Sequence, residues 1–305
     1  MDVLTSPHWL RRWALASLIA NMGIVITGGL VRLTASGLGC NTWPQCEPGS
    51  YVPRPEAGIH SYIEFGNRLL TFVLAAIAIG MALAAWRARK DGQPRRRLRA
   101  LSIGVGLGII LQAVVGGVSV WLQLNPWVVG LHMVLSVALI VICTLMVHDA
   151  YDLEPSPAPD RTLWLVRVVF GLSMLLIYLG TVVTGAGPHS GDGGAERNGL
   201  VLTEIARWHS LTMWLTLVLL AALVATSRHQ ARVRRAALGV VAVAVLQGVI
   251  GYVQYFTALP MLLVLGHLAG TVLYTVAVTH LLLGVRAEDQ NSSGSMAAAR
   301  NTIAR

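Results

Sequence analysis

The sequence predicts an all-α polytopic membrane protein: eight transmembrane helices in two pseudo-symmetric four-helix bundles, with both termini in the cytoplasm. Three observations predict it. Apolar runs long enough to cross a bilayer recur eight times along the 305 residues. Hydrophobic residues make up 55% of the chain and charged residues only 12%, so a soluble protein with eight such helices would have almost no surface left. Basic residues, finally, gather in alternate loops.

The expected spans are 13–33, 62–86, 100–122, 128–148, 163–184, 207–227, 236–256 and 262–284. Arg87, Arg89, Lys90, Arg95, Arg96, Arg97 and Arg99 fall between the second and third, and Arg228, Arg232, Arg234 and Arg235 between the sixth and seventh. Arg11, Arg12, Arg161, Arg286, Arg300 and Arg305 lie on the same side if the spans alternate, whereas the opposite loops hold only Arg54 and Arg197. This is the positive-inside bias, and it directs both termini to the cytoplasm. The net charge of +9 therefore orients the chain in a lipid membrane and is no nucleic-acid footprint. The first apolar run is a full span without a convincing cleavage site after it, so no cleavable signal peptide is expected. Residues 287–305 read as a disordered tail.

The chain repeats itself. "QAVVGGVSVWLQLNPWVVGLHM" begins at Gln112 and "QGVIGYVQYFTALPMLLVLGHL" at Gln247. Each opens on Gln, continues through Val/Ile-Gly and a short Pro-containing outer turn, and reaches a histidine, His132 or His267, twenty residues on. A weaker echo sets "GNRLLT" against "WHSLT" and Asn67 opposite His209. The expected units are a bundle over 1–150, a cytoplasmic linker over 151–160 and a second bundle over 161–286, related as parallel repeats about the membrane normal.

Depth then sorts the histidines. His132, His209 and His267 all fall within one or two helical turns of the outer surface. His209 and His267 belong to one bundle but to different spans, which is how a bundle grips a haem iron from both faces. Zinc would want three or four ligands, and no further cluster is offered at that depth. In the first half Asn67 occupies the place corresponding to His209, and Asn is a poor iron ligand. A haem there would be held by His132 alone, and an open position separates a reactive haem from an electron-carrying one.

The stretch "SYIEFGNRLLTF", 61–72, places Glu64, Asn67 and Arg68 on one helix face at the rim of the second span. Polar groups set into a bilayer are costly, so they line a pocket facing the bundle interior or, alternatively, cap the interface with Arg68 paired to Glu64. Arg32 and Arg207, at outer span ends, suit either haem propionates or interfacial anchoring. Gln112 and Gln247, deep in the bilayer, suit interhelical hydrogen bonds. The "GPHSGD" loop reads as a lid or packing element, with His189 a weak ligand candidate. Cys143 reads as a small buried hydrophobe. Cys40 and Cys46 share the first outer loop, where disulfides persist, and their separation permits a bridge without demanding one.

Taken together, "TGGLVRLTASGLGCNTWPQC" (27–46), "EFGNRLLT" (64–71), the two Gln-to-His blocks and "VTGAGPHSGD" (183–192) resemble the haem A synthase family. The resemblance runs from about Arg12 to Leu283. It implies an enzyme that oxidises the C8 methyl of haem O to the formyl of haem A, with haem b in the C-terminal bundle and substrate haem in the N-terminal one. Residue by residue it implies His209 and His267 as haem b ligands, His132 as a ligand of the substrate haem and Glu64 as the glutamate near the reacting site. It also implies Cys40 and Cys46 as an outer-loop disulfide pair. A haem O synthase and the terminal oxidase that uses haem A are the implied partners. The departure is Asn67, where well-known members carry Glu-x-x-His; His60, four residues before Glu64, is a possible substitute or simply a solvated loop residue.

Oxidising a methyl on a macrocycle needs a redox centre, a proton acceptor and one presented ring edge. Glu64 and Asn67 are the expected catalytic pair, with Arg32, Arg68 and Arg207 assigned to cofactor binding. Two rival functions use the same histidines. One is an electron-transfer cytochrome b with a second haem at His148 and His280 near the inner face; the other is a haem carrier or exporter without chemistry.

Overall fold

A computed structural model describes residues 7–288. Among them are eight helices long and apolar enough to cross a membrane: α1 (Pro7–Leu33), α2 (Ile59–Arg87), α3 (Arg96–Trp121), α4 (Pro126–Ala150), α5 (Asp160–Ala186), α6 (Leu202–Thr226), α7 (Ala231–Phe256) and α8 (Met261–Leu283). Four short strands accompany them: β1 (Arg89–Lys90), β2 (Gln93–Pro94), β3 (Ser156–Ala158) and β4 (Val285–Ala287). The helices contain the expected spans almost entirely and overrun several of them, because polar residues at a membrane rim remain helical while dropping out of an apolar pattern. The overrun matters most at α6, which starts at Leu202 rather than 207. His209 is therefore two turns inside its helix, not in the first turn.

Helices α1 to α4 pack in a closed ring, α1 on α2, α2 on α3, α3 on α4 and α4 back on α1. Helices α5 to α8 do the same in the same order. In each ring the second and fourth helices stand on a diagonal. The rings meet through α4 and α1 against α8, and through α4 against α5. One apolar core lies inside the first ring around Met81, Ile140, Cys143 and Met146; another lies inside the second around Val166, Leu220, Leu223, Val240 and Leu281.

The turns of α3–α4 and α7–α8 are built alike. Gln123 and Leu124 are both left-handed (φ 49° and 60°), as are Ala258 and Leu259 (φ 59° and 60°). In each turn the second of these donates its N–H five residues back, Leu124 to Ser119 O at 2.8 Å and Leu259 to Gln254 O at 2.7 Å. Pro126 or Pro260 follows, where a missing N–H at a helix start is harmless. The left-handed pair and its hydrogen bond thus fall at the same places in the two Gln-to-His blocks, whereas the proline comes one residue earlier in the second.

At the opposite end the 151–160 segment is tied down. β3 pairs in parallel with β4, Ser156 opposite Val285 and Ala158 opposite Ala287. Asp160 already belongs to α5. Ala287, where the tail was expected to begin, ends β4; the remainder of that expectation, beyond Glu288, lies outside the described residues. Asp152 binds both Lys90 and Arg95, and Arg97 pairs with Asp149 at 2.9 Å. These contacts fasten the α2–α3 hairpin to the end of α4.

Candidate functional site

Each ring places two polar side chains on its diagonal helices, near the end where the Pro-containing turns lie. In the second ring these are His209 on α6 and His267 on α8, and their ring centres stand 6.4 Å apart with planes at 72°. Two imidazole nitrogens bound to one metal each stand about 2 Å from it, which puts the ring centres about 6 Å apart. The observed separation fits one iron between the pair. Among the described residues no group of three or more His, Cys, Asp and Glu could hold a metal ion. A planar tetrapyrrole supplies the four equatorial donors that the protein does not, so the donor set fits haem.

Glycines make the room. A Cβ at Gly180 on α5 would sit 3.2 Å from His209 Cε1, and one at Gly251 on α7 would sit 3.4 Å from His267 Cε1. Each imidazole lies with Cε1, and next Nδ1, against a bare stretch of neighbouring helix. His209 Nδ1 lies 3.0 Å from Leu176 O; the carbonyl can only accept, so Nδ1 carries the proton and Nε2 offers its lone pair. His267 is held through its backbone instead. Gln247 donates to His267 O at 2.7 Å, and Thr271 Oγ1 to the same oxygen at 2.9 Å. His267 Nδ1 is buried without a full hydrogen bond among the described residues, the main chain of Gln247 acting on the ring only weakly.

The first ring repeats this with one change. A Cβ at Gly116 would lie 3.3 Å from His132 Cε1. Gln112 donates to His132 O at 3.1 Å, Ser136 Oγ donates to it at 2.9 Å, and His132 Nδ1 is again buried and unpartnered. On the diagonal helix, Asn67 stands over Gly28, whose Cβ would be 3.9 Å from Asn67 Nδ2. The Thr27 hydroxyl donates to Asn67 Oδ1 at 2.8 Å. Asn67 therefore holds the place over α1 that His209 holds over α5.

Glu64 lies on the same helix but is engaged elsewhere. One carboxylate oxygen accepts from Cys40 N–H at 2.6 Å, and the other accepts from Arg68 Nη2 at 2.6 Å and Nε at 3.1 Å. Arg68 also donates to the carbonyls of Thr42, Gln45 and Cys40 at 3.0–3.1 Å. Of the two readings of this rim, the Glu64–Arg68 pair is present, and it clasps the first outer loop to α2. No hydrogen bond joins Asn67 to Glu64 among the described residues. Cys40 and Cys46 are joined by a disulfide, both fully buried.

The loop's signature residues explain themselves locally. Gly39 passes so close to α2 that a Cβ would fall 2.3 Å from His60 O, and Trp43 lies on Gly117 of α3 and meets Trp121 edge-on at 5.5 Å. His60 Nδ1 is 2.9 Å from Ser36 Oγ, so it serves the loop and is not merely solvated.

The other candidates separate. Arg32 donates from Nη2 to Thr184 O at 2.8 Å and from Nε to His189 O, tying α1 to the end of α5. His189 meets Leu259 O at 2.9 Å, which makes the GPHSGD loop a packing element over the α7–α8 turn. Arg207 is exposed, with no hydrogen bond or ion pair among the described residues. At the opposite end of the helices His148 Nε2 and His280 Nδ1 are 2.9 Å apart. That is a direct hydrogen bond, with no room for an iron between the rings, beside a cavity of about 930 Å³ that Arg232 and Arg235 also line. Thr27 and the ring-facing glycines were not singled out from the sequence, although Gly116 and Gly251 stand inside the repeated block and carried the signal.

Fold and site together define a polytopic helical membrane protein whose diagonal helices present paired side chains suited to haem. Residues 11–188 match the model of the COX15-CtaA family, described as cytochrome oxidase assembly protein. The chain belongs to that family. Proteins named "Heme A synthase" are similar to it: one from Listeria welshimeri is 32% identical over 145 residues, 46% of either chain. One from Lysinibacillus sphaericus is 30% identical over 183 residues, 58% of either chain. One from Alkalihalophilus pseudofirmus is 30% identical over 182 residues, 57% of this chain and 60% of that one. The matched stretch is about half the length of these relatives. His209 and His267 lie beyond the residues matched to the family, so their assignment rests on the geometry above.

Proposed function

We propose that this chain is a haem A synthase, converting the C8 methyl of haem O to a formyl group, with haem b between His209 and His267 and haem O presented by His132. Family membership supports haem A biosynthesis, and the 6.4 Å imidazole pair on diagonal helices is the observation that carries the cofactor assignment. A haem held by His209 and His267 would supply one-electron transfer.

The protein's own groups then divide the work. His209 Nδ1–H, held by Leu176 O, keeps Nε2 available to iron, and Gln247 fixes the backbone from which His267 projects. His132 fixes the substrate at the corresponding place in the first ring. With water as the oxygen source, taking the methyl to a formyl passes four electrons to an external acceptor and releases four protons at the ring edge, and Glu64 is the carboxylate of that region. Its engagement by Arg68 and Cys40 means that it accepts a proton only as the Arg68 contact loosens. Otherwise it acts by holding negative charge close to the substrate. Asn67 is the amide facing the substrate's other side. Arg207, being unpaired, is the guanidinium most available to a propionate; Arg32 and Arg68 would have to give up backbone carbonyls to do the same.

On this reading the two rings are parallel repeats, the termini are cytoplasmic and the protein lies in the cell membrane with its haem sites toward the outer face. The Cys40–Cys46 disulfide is at home on that side. A haem O synthase supplies the substrate, and a terminal oxidase receives the product. Membranes that co-express the chain with a haem O source should contain haem A by mass and by spectrum. Haem bound without conversion would instead indicate a carrier or an electron-transfer protein, and the reading would fall.

A further inference from the structure

We infer that the first ring carries a ligand-binding position of its own: the site opposite His132, where Asn67 stands, is open to a small exogenous ligand of iron and presents it with a hydrogen-bond donor. The inference rests on the reading that a haem occupies the first ring through His132.

Three observations carry it. The four residues His132, His209, His267 and Asn67 face glycines at corresponding places on the preceding helix of each pair, Gly116, Gly180, Gly251 and Gly28. Three of the four are imidazoles. The fourth carries an amide, which is shorter and has no basic lone pair on nitrogen, so a haem here keeps one axial position free of protein. Clearance differs too. The Cβ positions at the three imidazole glycines come within 3.2–3.4 Å of a ring, whereas that at Gly28 is 3.9 Å from Asn67 Nδ2.

The amide is also oriented. The Thr27 hydroxyl lies 2.8 Å from Asn67 Oδ1 and 3.2 Å from Ile24 O, its one proton favouring the shorter contact, and Asn67 Nδ2 has no hydrogen-bond partner among the described residues. At the place equivalent to Thr27, one residue before the facing glycine, α5 carries Leu179, which has nothing to donate. Thr27 thus belongs to the ring that lacks the second imidazole. With its oxygen satisfied, Asn67 keeps its Nδ2 hydrogens unengaged beside Gly28, next to the space that the missing imidazole would have filled. Such a donor favours ligands with an acceptor atom away from the metal, a diatomic gas or a cyanide-like anion.

The test is spectroscopic and uses purified full-length protein carrying both haems. Carbon monoxide on the reduced protein and cyanide on the oxidised protein should each perturb one haem of the two. Asn67→His should abolish both responses and turn the remaining high-spin signal low-spin. Asn67→Asp and Thr27→Val should keep the position open but speed cyanide loss by roughly threefold to tenfold, the effect of one net hydrogen bond. Two haems that both ignore carbon monoxide and cyanide would overturn the inference while leaving haem in both rings. If the wild type holds no second haem, or if His132→Ala leaves the second haem unchanged, the underlying reading fails as well.

Discussion

Glu64 Oε1 accepts from Arg68 Nη2 at 2.6 Å, one turn along the same helix, and the same guanidinium binds three carbonyls of the disulfide loop. The pair is a buckle between α2 and the loop that begins at Thr34. Glu64 is only 6% exposed and the Arg68 side chain 21%, so deleting Arg68 strands a buried carboxylate and deleting Glu64 strands a partly buried guanidinium. Glu64→Ala should destabilise the protein by roughly 3 kcal/mol, the low end for breaking a buried pair. Glu64→Ala combined with Arg68→Met should recover part of that loss. Thermal unfolding in detergent, followed by helical signal, checks both. A catalytic part for Glu64 requires more: Glu64→Gln should lower haem A yield at unchanged protein level, and full yield would remove it from the mechanism.

The disulfide adds to the buckle. A loop this short gains about 2 kcal/mol from closure in the unfolded chain, less than the charge pair contributes. Cys40→Ser with Cys46→Ser should therefore cost less stability than Glu64→Ala in the same assay, because Arg68 and the Cys40 N–H continue to hold the loop. The reverse order would mean that the covalent link, not Glu64, anchors the segment.

At the other end of the helices, Asp152 lies between Lys90 and Arg95. Partial burial pushes its carboxyl up, but the hydrogen bond from Lys90 and the charges of Arg95, Lys90 and Arg11 together hold it below the usual carboxylate value. The sign follows from linkage: a carboxyl depressed in the folded state stabilises above its unfolded value, near 3.9, and loses that contribution as pH falls through the folded one. Wild type should thus lose melting temperature relative to Asp152→Asn as pH drops from about 5 to 3. At neutral pH the difference should be small, since exposed pairs contribute little. A gap between the two proteins that stays constant over this range would contradict the assignment.

The spans were legible because a bilayer imposes about twenty apolar residues on each crossing, and nothing else in a chain produces that pattern eight times. The placement of His267 was legible because one repeat copies the other: Gln247 and His267 restate Gln112 and His132, hydrogen bond included. What stayed hidden depends on main-chain atoms or single contacts. Arg32 looked suited to carboxylates but serves the carbonyls of Thr184 and His189, and a carbonyl has no sequence signature. The pairing of β3 with β4 joins two three-residue stretches, too short for any periodicity to betray. Thr27 gave no sign of its partner forty residues away. Glu64 was recognisable as a buried carboxylate, but not as one whose two oxygens are both taken.

The glycines facing the ring edges give the sharpest comparison between the two halves. At Gly180 and Gly251 a Cβ falls 3.2 and 3.4 Å from imidazole Cε1, so even alanine asks the ring to move by a few tenths of an ångström. Valine asks for more, on a helix whose neighbours are close-packed. Gly180→Val and Gly251→Val should release the haem proposed between His209 and His267, read as loss of its low-spin absorbance per unit protein, with the helical signal retained. Gly28→Ala meets only the Asn67 amide at 3.9 Å, an ordinary contact, and should leave the haem content of both rings at the wild-type level. If Gly28→Ala emptied a site while Gly180→Val did not, the rings of His209 and His267 would not be packed as the structure has them, and the iron would have to be sought between other residues.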